Sequence, residues 1–356
     1  MSGKGTLSNL QVMRGVAALM VCVYHFRYLL ENDQAEWLFR NGWIGVQVFF
    51  VISGFIMVYT TQTRSEGTSY SPRTFILKRL IRILPLYLIA TALYLVILNP
   101  SLELSTESVT KLIKSVLFLP QMTSEEGPAY GFPIIHVGWS LNYEMLFYLL
   151  FFAGLFFAEH TRRLLIPGVL LAGGLVVPSF FSGNLHTSYS TYLEYPVPVL
   201  NFLLNPVLVL FLTGVLIGHL YPVINMPKTR SRILLYSSIA IFTFYVLGVT
   251  GIPFNSLTDS IFCGLIVFAA VFNDKHTSAN GGNRSIMAFL GDSSYSIYLL
   301  HPILIIIVKR VFYHLEVDSN ILIFITGMML ILIVSGLSFR YIESGISQKL
   351  KKILNV

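Results

Sequence analysis

The chain has 356 residues, 54% of them apolar and only 12% charged, with a formal net charge of +7 and a mean hydropathy of +0.71. A soluble domain carries about 25% charged residues, so this composition excludes a secreted, disulfide-stapled or nucleic-acid-binding globular protein and puts the bulk of the chain in lipid. The cations lie in short gaps between apolar runs, not in one patch, and both cysteines, Cys22 and Cys263, fall inside apolar runs.

Ten apolar stretches are long enough to cross a bilayer as helices: 8–29, 43–61, 80–98, 139–158, 164–182, 199–220, 232–250, 255–272, 286–308 and 320–339. None alternates as a membrane strand does. The expected fold class is therefore all-α, a polytopic membrane helical bundle of about ten transmembrane helices, forming a single domain over 1–356. The first stretch precedes no small-residue cleavage site and is expected to be retained. With the N-terminus in the cytoplasm, the gaps on that side, chiefly 62–82, 221–232 and 340–356, are net positive, and the opposite gaps together are net negative. Both termini are thus expected in the cytoplasm. In the long gap 99–138, Lys111–Pro120 reads as an interfacial helix.

An ionisable residue in lipid is costly unless it faces protein or water, so these residues are the informative ones. Arg14 and His25 share the first stretch, 11 residues apart. That is three turns plus roughly 20°, which puts both on one face about 16 Å apart. A guanidinium that holds an anion and an imidazole that accepts a proton suit an anionic donor whose reactive end extends deeper. The plainer alternative has Arg14 reaching lipid phosphates and His25 bonding a carbonyl.

Arg79 and Arg82 are i, i+3 neighbours at the charged start of the third stretch, where paired guanidinium forks suit phosphates and also suit an ordinary positive flank. Glu144 opens the fourth stretch without a cation in its own segment. His25 lies at a similar expected depth, and a His–Glu pair orients an imidazole and stabilises its charged form; a Glu–Arg pair is the competitor. Trp139, Tyr143 and Phe147 form a stripe at i, i+4, i+8, a pattern usual for interface anchors. Trp139, Asn142, Tyr143 and the intramembrane His301 are candidate acceptor-binding residues, His301 being equally readable as a satisfied buried histidine. Asp259, among Ser256, Thr258 and Ser260, suggests a polar-lined cavity. Phosphate-loop, zincin, nucleophile-elbow and dinucleotide signatures are absent, and no His, Cys or carboxylate cluster has metal-ligand spacing, so no metal site is expected.

Five segments in order resemble the acyltransferase family 3 of integral membrane proteins, most closely its exopolysaccharide and O-antigen O-acetyltransferases. They are Leu10–Ala18 with Arg14 and His25, matching an Arg-x10-His pattern; Gly45–Phe55; Arg79 and Arg82 with Pro85; Gly138–Glu144 with Phe147-Tyr148; and Ser294–Pro302, with Arg340–Glu343 near the end. Two departures stand out. Gln47 replaces a frequent acidic residue, and Ser344-Gly345 follows Glu343 where a proline is common nearby. The resemblance implies O-acetyl transfer from acetyl-CoA, a co-substrate and not a permanently bound cofactor, to a hydroxyl of a cell-surface carbohydrate, in the cell inner membrane. It implies His25 as the catalytic histidine, with Glu144 supporting it or the acceptor site, and Arg14, Arg79 and Arg82 on the donor's phosphates. The rival reading is a transporter or flippase for a lipid-linked sugar, against which no inverted repeat is visible.

Overall fold

The computed structural model describes residues 7–62, 71–98, 105–276 and 286–356. No strand occurs among the described residues. In chain order, α1 (Ser8–Phe26) runs into a tight turn at Arg27–Leu30, and the short α2 (Asp33–Phe39) leads to α3 (Ile44–Thr61). α4 (Pro72–Leu98) is followed by α5 (Thr106–Val116), then by a loop whose closing turn, His136–Gly138, opens α6 (Trp139–Gly154). α7 (Glu159–Leu171) and α8 (Val177–Ser182) form one rod joined by a wide turn at Ala172–Val176. The remaining helices are α9 (Leu200–Leu203), α10 (Leu208–Leu220), α11 (Lys228–Val246), α12 (Ser256–Asp274), α13 (Ile286–Asp292) and α14 (Ser294–His314). The last pair, α15 (Asn320–Ser338) and α16 (Ser347–Leu354), is joined by a second wide turn at Phe339–Ile346.

Each of the ten apolar stretches is helical. Among the described residues, eight helical segments are long and apolar enough to cross a membrane, which fits the expected polytopic bundle. α6 falls short because its 16 residues span only about 24 Å. α11 falls short because Lys228, Arg230 and Arg232 occupy its first turns. α4 starts at Pro72, eight residues before the apolar run, because Arg73, Lys78 and Arg79 are good helix formers that continue the backbone beyond the apolar segment. The stretch 199–220 is broken at Asn205-Pro206. There the Asn205 amide donates to the Tyr130 hydroxyl and the Tyr189 carbonyl, both at 2.9 Å, and its oxygen accepts from the Val207 amide. α5 covers most of the expected interfacial helix and exposes Val109 and Ile113.

Two devices fix the helices that carry the site. The Asp274 carboxylate, at the end of α12, accepts from the amides of Asn9 and Leu10 and from the Ser8 hydroxyl. It thereby satisfies amides that the start of α1 would otherwise leave unpaired. Small residues let backbones touch, as membrane helices require in lipid. A Cβ on Gly214 would lie 2.0 Å from the Val51 carbonyl of α3, and one on Gly291 would lie 2.1 Å from the Gln11 carbonyl of α1. α3 and α10 consequently form a buried centre, with α1, α6, α12 and α14 around it. Asp259 is fully buried. Tyr189 and Tyr245 donate to it at 2.8 and 2.5 Å, so it pins the loop before α9 against α12.

Candidate active site

α1, α3, α4, α6 and α14 enclose a cavity of about 320 Å³. Arg14, Arg82, Glu144, Tyr148, Ser294 and Tyr298 are in its wall. Arg14 extends from α1 and donates to Gln11 at 2.8 Å, while Gln11 donates to Asp292 at 3.1 Å. That chain uses one guanidinium nitrogen and leaves the rest of the fork available. Arg82 makes no hydrogen bond among the described residues. Glu144 and Glu343 lie within charge-interaction range of both arginines, yet neither closes an ion pair with them. The ion pairs among the described residues are Arg27–Glu36 and Arg163–Glu159. The cavity thus combines compensated positive charge with unused N–H donors, a combination that binds an anion without a prior bond to break.

Arg79, one turn from Arg82, does not reach the cavity. It donates to Thr60 at 3.1 Å, and its guanidinium lies 5.5 Å from the Phe75 ring and 5.7 Å from the Tyr148 ring. Of the i, i+3 pair only Arg82 lines the cavity, while Arg79 braces the Thr60 that does.

The expected His25–Glu144 pair is not formed. Glu144 accepts from Tyr148, one turn further along α6, and from Ser53 at 3.4 Å. It turns toward the arginine end, where the positive charge is. His25 instead meets two other imidazoles. Its Nδ1 lies 3.2 Å from Nε2 of His301, with ring centroids 4.9 Å apart, and the His136 ring lies 5.4 Å away. His136 had no role in the sequence reading. Its only signal there was its position three residues before Trp139. Burial and the neighbouring His25 push His136 down to about 4, so it is neutral at physiological pH. Among the described residues no group of His, Cys and carboxylates is disposed to hold a metal ion.

The histidines are not in the cavity wall, but Tyr298, which is, neighbours His301. Its ring lines the cavity and lies 6.2 Å from that of His301. Its hydroxyl donates to the Val137 carbonyl at 2.8 Å and lies 2.7 Å from the Ser140 hydroxyl. Trp139, Asn142 and Tyr143 line no part of the cavity. Tyr143 is fully buried, donates to the Pro128 carbonyl at 2.9 Å and packs on Phe202, and Trp139 packs on Phe50 and Tyr143. Asn142 is buried with its side-chain oxygen unpartnered among the described residues. Glu343, likewise without an assigned role in the sequence, accepts from Ser296 of α14.

The family model described as an acyltransferase domain, that of acyltransferase family 3, matches residues 7–340. The exopolysaccharide production protein ExoZ of Rhizobium meliloti is 34% identical over 281 residues, covering 76% of this chain and 79% of ExoZ. The O-acetyltransferase OatA of Staphylococcus aureus is 24% identical over 369 residues, covering 96% of this chain and 57% of OatA. The chain thus spans little more than half the length of that relative. No solved structure matches the chain.

Proposed function

The chain belongs to the acyltransferase 3 family, and on that premise we propose that it transfers an acetyl group from acetyl-CoA to a hydroxyl of a cell-surface carbohydrate. The observation that carries the reading is the cavity bearing two arginines with unused donors, one of them on the same helix as His25, an imidazole with an open nitrogen. Acetyl-CoA brings several negative charges at one end and a neutral thioester at the other. Its phosphates rest on Arg14 and Arg82, and its arm passes Tyr298 toward His25, about 16 Å along α1 from Arg14. The sugar hydroxyl gives its proton to His25 as its oxygen attacks the thioester carbonyl. The C–S bond breaks, and the imidazolium returns a proton to the departing thiolate. Products are the acetyl ester and free CoA. Glu144 and Glu343 balance the arginine charge.

ExoZ, named for exopolysaccharide production, supports an exopolysaccharide or its lipid-linked precursor as acceptor. The test is purified protein with acetyl-CoA and a glycan extract from its own cells. The expected result is thiol release that depends on the glycan, with glycan mass raised by one acetyl group per repeat. Glycan movement across vesicles without thiol release contradicts the proposal and favours transport. The same reading places the protein in the inner membrane with both termini in the cytoplasm. Tags at either end are expected to resist protease in intact spheroplasts and to be cut in inverted vesicles, and cutting in spheroplasts overturns that topology.

A further inference from the structure

We propose that His301 is a positioning residue that holds His25 in a single tautomer, with the proton on Nδ1 and the lone pair on Nε2. The inference rests on the reading of His25 as the base, and follows from hydrogen-bond direction. His25 Nδ1 lies 2.9 Å from the Val21 carbonyl and 3.2 Å from His301 Nε2. A carbonyl only accepts, so Nδ1 of His25 carries a proton. Nδ1 of His301 lies 3.2 Å from the Ile297 carbonyl, so it too carries a proton. A second proton on His301 Nε2 would point at the proton on His25 Nδ1. His301 therefore presents a lone pair from Nε2, and the His25 Nδ1 proton is shared between that lone pair and Val21.

Two acceptors on one nitrogen fix the ring and leave Nε2 of His25 without a partner among the described residues. When Nε2 takes the substrate's proton, the new charge is already bonded through Nδ1 to both acceptors. A histidine orienter here does what a carboxylate commonly does for a catalytic imidazole. The orienter is itself fixed. His301 is fully buried, and Pro302 lacks the amide that would bond the Tyr298 carbonyl. The other groups facing His25 are Tyr24, His136 and Arg27, the last paired with Glu36 at 2.9 Å. Among the described residues no carboxylate makes an ion pair or hydrogen bond with His25.

The test compares His301→Leu, His301→Gln, His301→Asn and His25→Ala in the acetyl-CoA and glycan assay. Glutamine presents an acceptor near the place of Nε2, and asparagine near that of Nδ1. His301→Leu is expected to lower kcat about tenfold to hundredfold, with KM for acetyl-CoA and for glycan within about twofold. His301→Gln should recover most of the rate and exceed His301→Asn by about tenfold. Coenzyme A binding serves as the check on folding; should His301→Leu lose it, the Gln-to-Asn ratio decides. An unchanged kcat in His301→Leu, equal rates for Gln and Asn, or a raised glycan KM at constant kcat overturns the inference. The last outcome would make His301 an acceptor-binding residue. Full activity in His25→Ala overturns the underlying reading instead.

Discussion

His25→Ala is expected to reduce kcat by about 10²- to 10⁴-fold, the usual worth of a positioned general base, while KM for acetyl-CoA stays within about twofold. The split follows from the layout. In the proposed function the donor's phosphates are held by Arg14 and Arg82, and Arg14 lies about 16 Å along α1 from His25, which is not in the wall of the arginine cavity. Removing the imidazole takes away the proposed proton acceptor without touching the arginines. Alanine is also the best helix former, so α1 persists. Initial rates of CoA release with saturating glycan measure both constants. A variant with wild-type kcat takes His25 out of the chemistry. One with normal kcat and a raised donor KM makes it a binding residue.

Arg14→Ala and Arg82→Ala are each expected to raise the Kd for coenzyme A about tenfold to hundredfold, the range for a charge-assisted hydrogen bond. Arg82→Lys should fall between, because an ammonium keeps the charge and loses the planar fork. The informative control is Arg79→Ala. Arg79 braces Thr60 and the rings of Phe75 and Tyr148, so its loss should change Kd by no more than about threefold. Titration calorimetry in detergent reads all four. If Arg79→Ala matches Arg82→Ala, the i, i+3 pair binds as a unit and the cavity assignment is wrong. If neither Arg14→Ala nor Arg82→Ala weakens binding, the phosphates sit elsewhere.

The bundle was legible because bilayer thickness imposes a length on every apolar run, and the ten runs are the ten places where long helices or broken helix pairs occur. The breaks were less so. Asn205 interrupts its run through bonds to Tyr130 and Tyr189, 75 and 16 positions away and both outside that run. Within the site, Arg14, Arg82 and Glu144 stood out because charge in lipid needs a reason, and they do converge on one cavity. Partner choice was not legible. Depth alone suggested His25 with Glu144, but a phenol one turn along α6 and a serine on α3 hold that carboxylate. His25 finds His301, 276 residues away, through the crossing of α1 and α14, which no local spacing encodes. The Trp139–Tyr143 stripe illustrates the converse, since its helical spacing reflects packing on Phe50 and Phe202.

A structure of the protein with coenzyme A bound tests the central claim most directly. The account predicts phosphate oxygens within hydrogen-bond reach of Arg14 and Arg82, with the sulfur past Tyr298 and beside Nε2 of His25. Phosphates bound outside this cavity, or a thiol that stops on the arginine side of Tyr298, would contradict it.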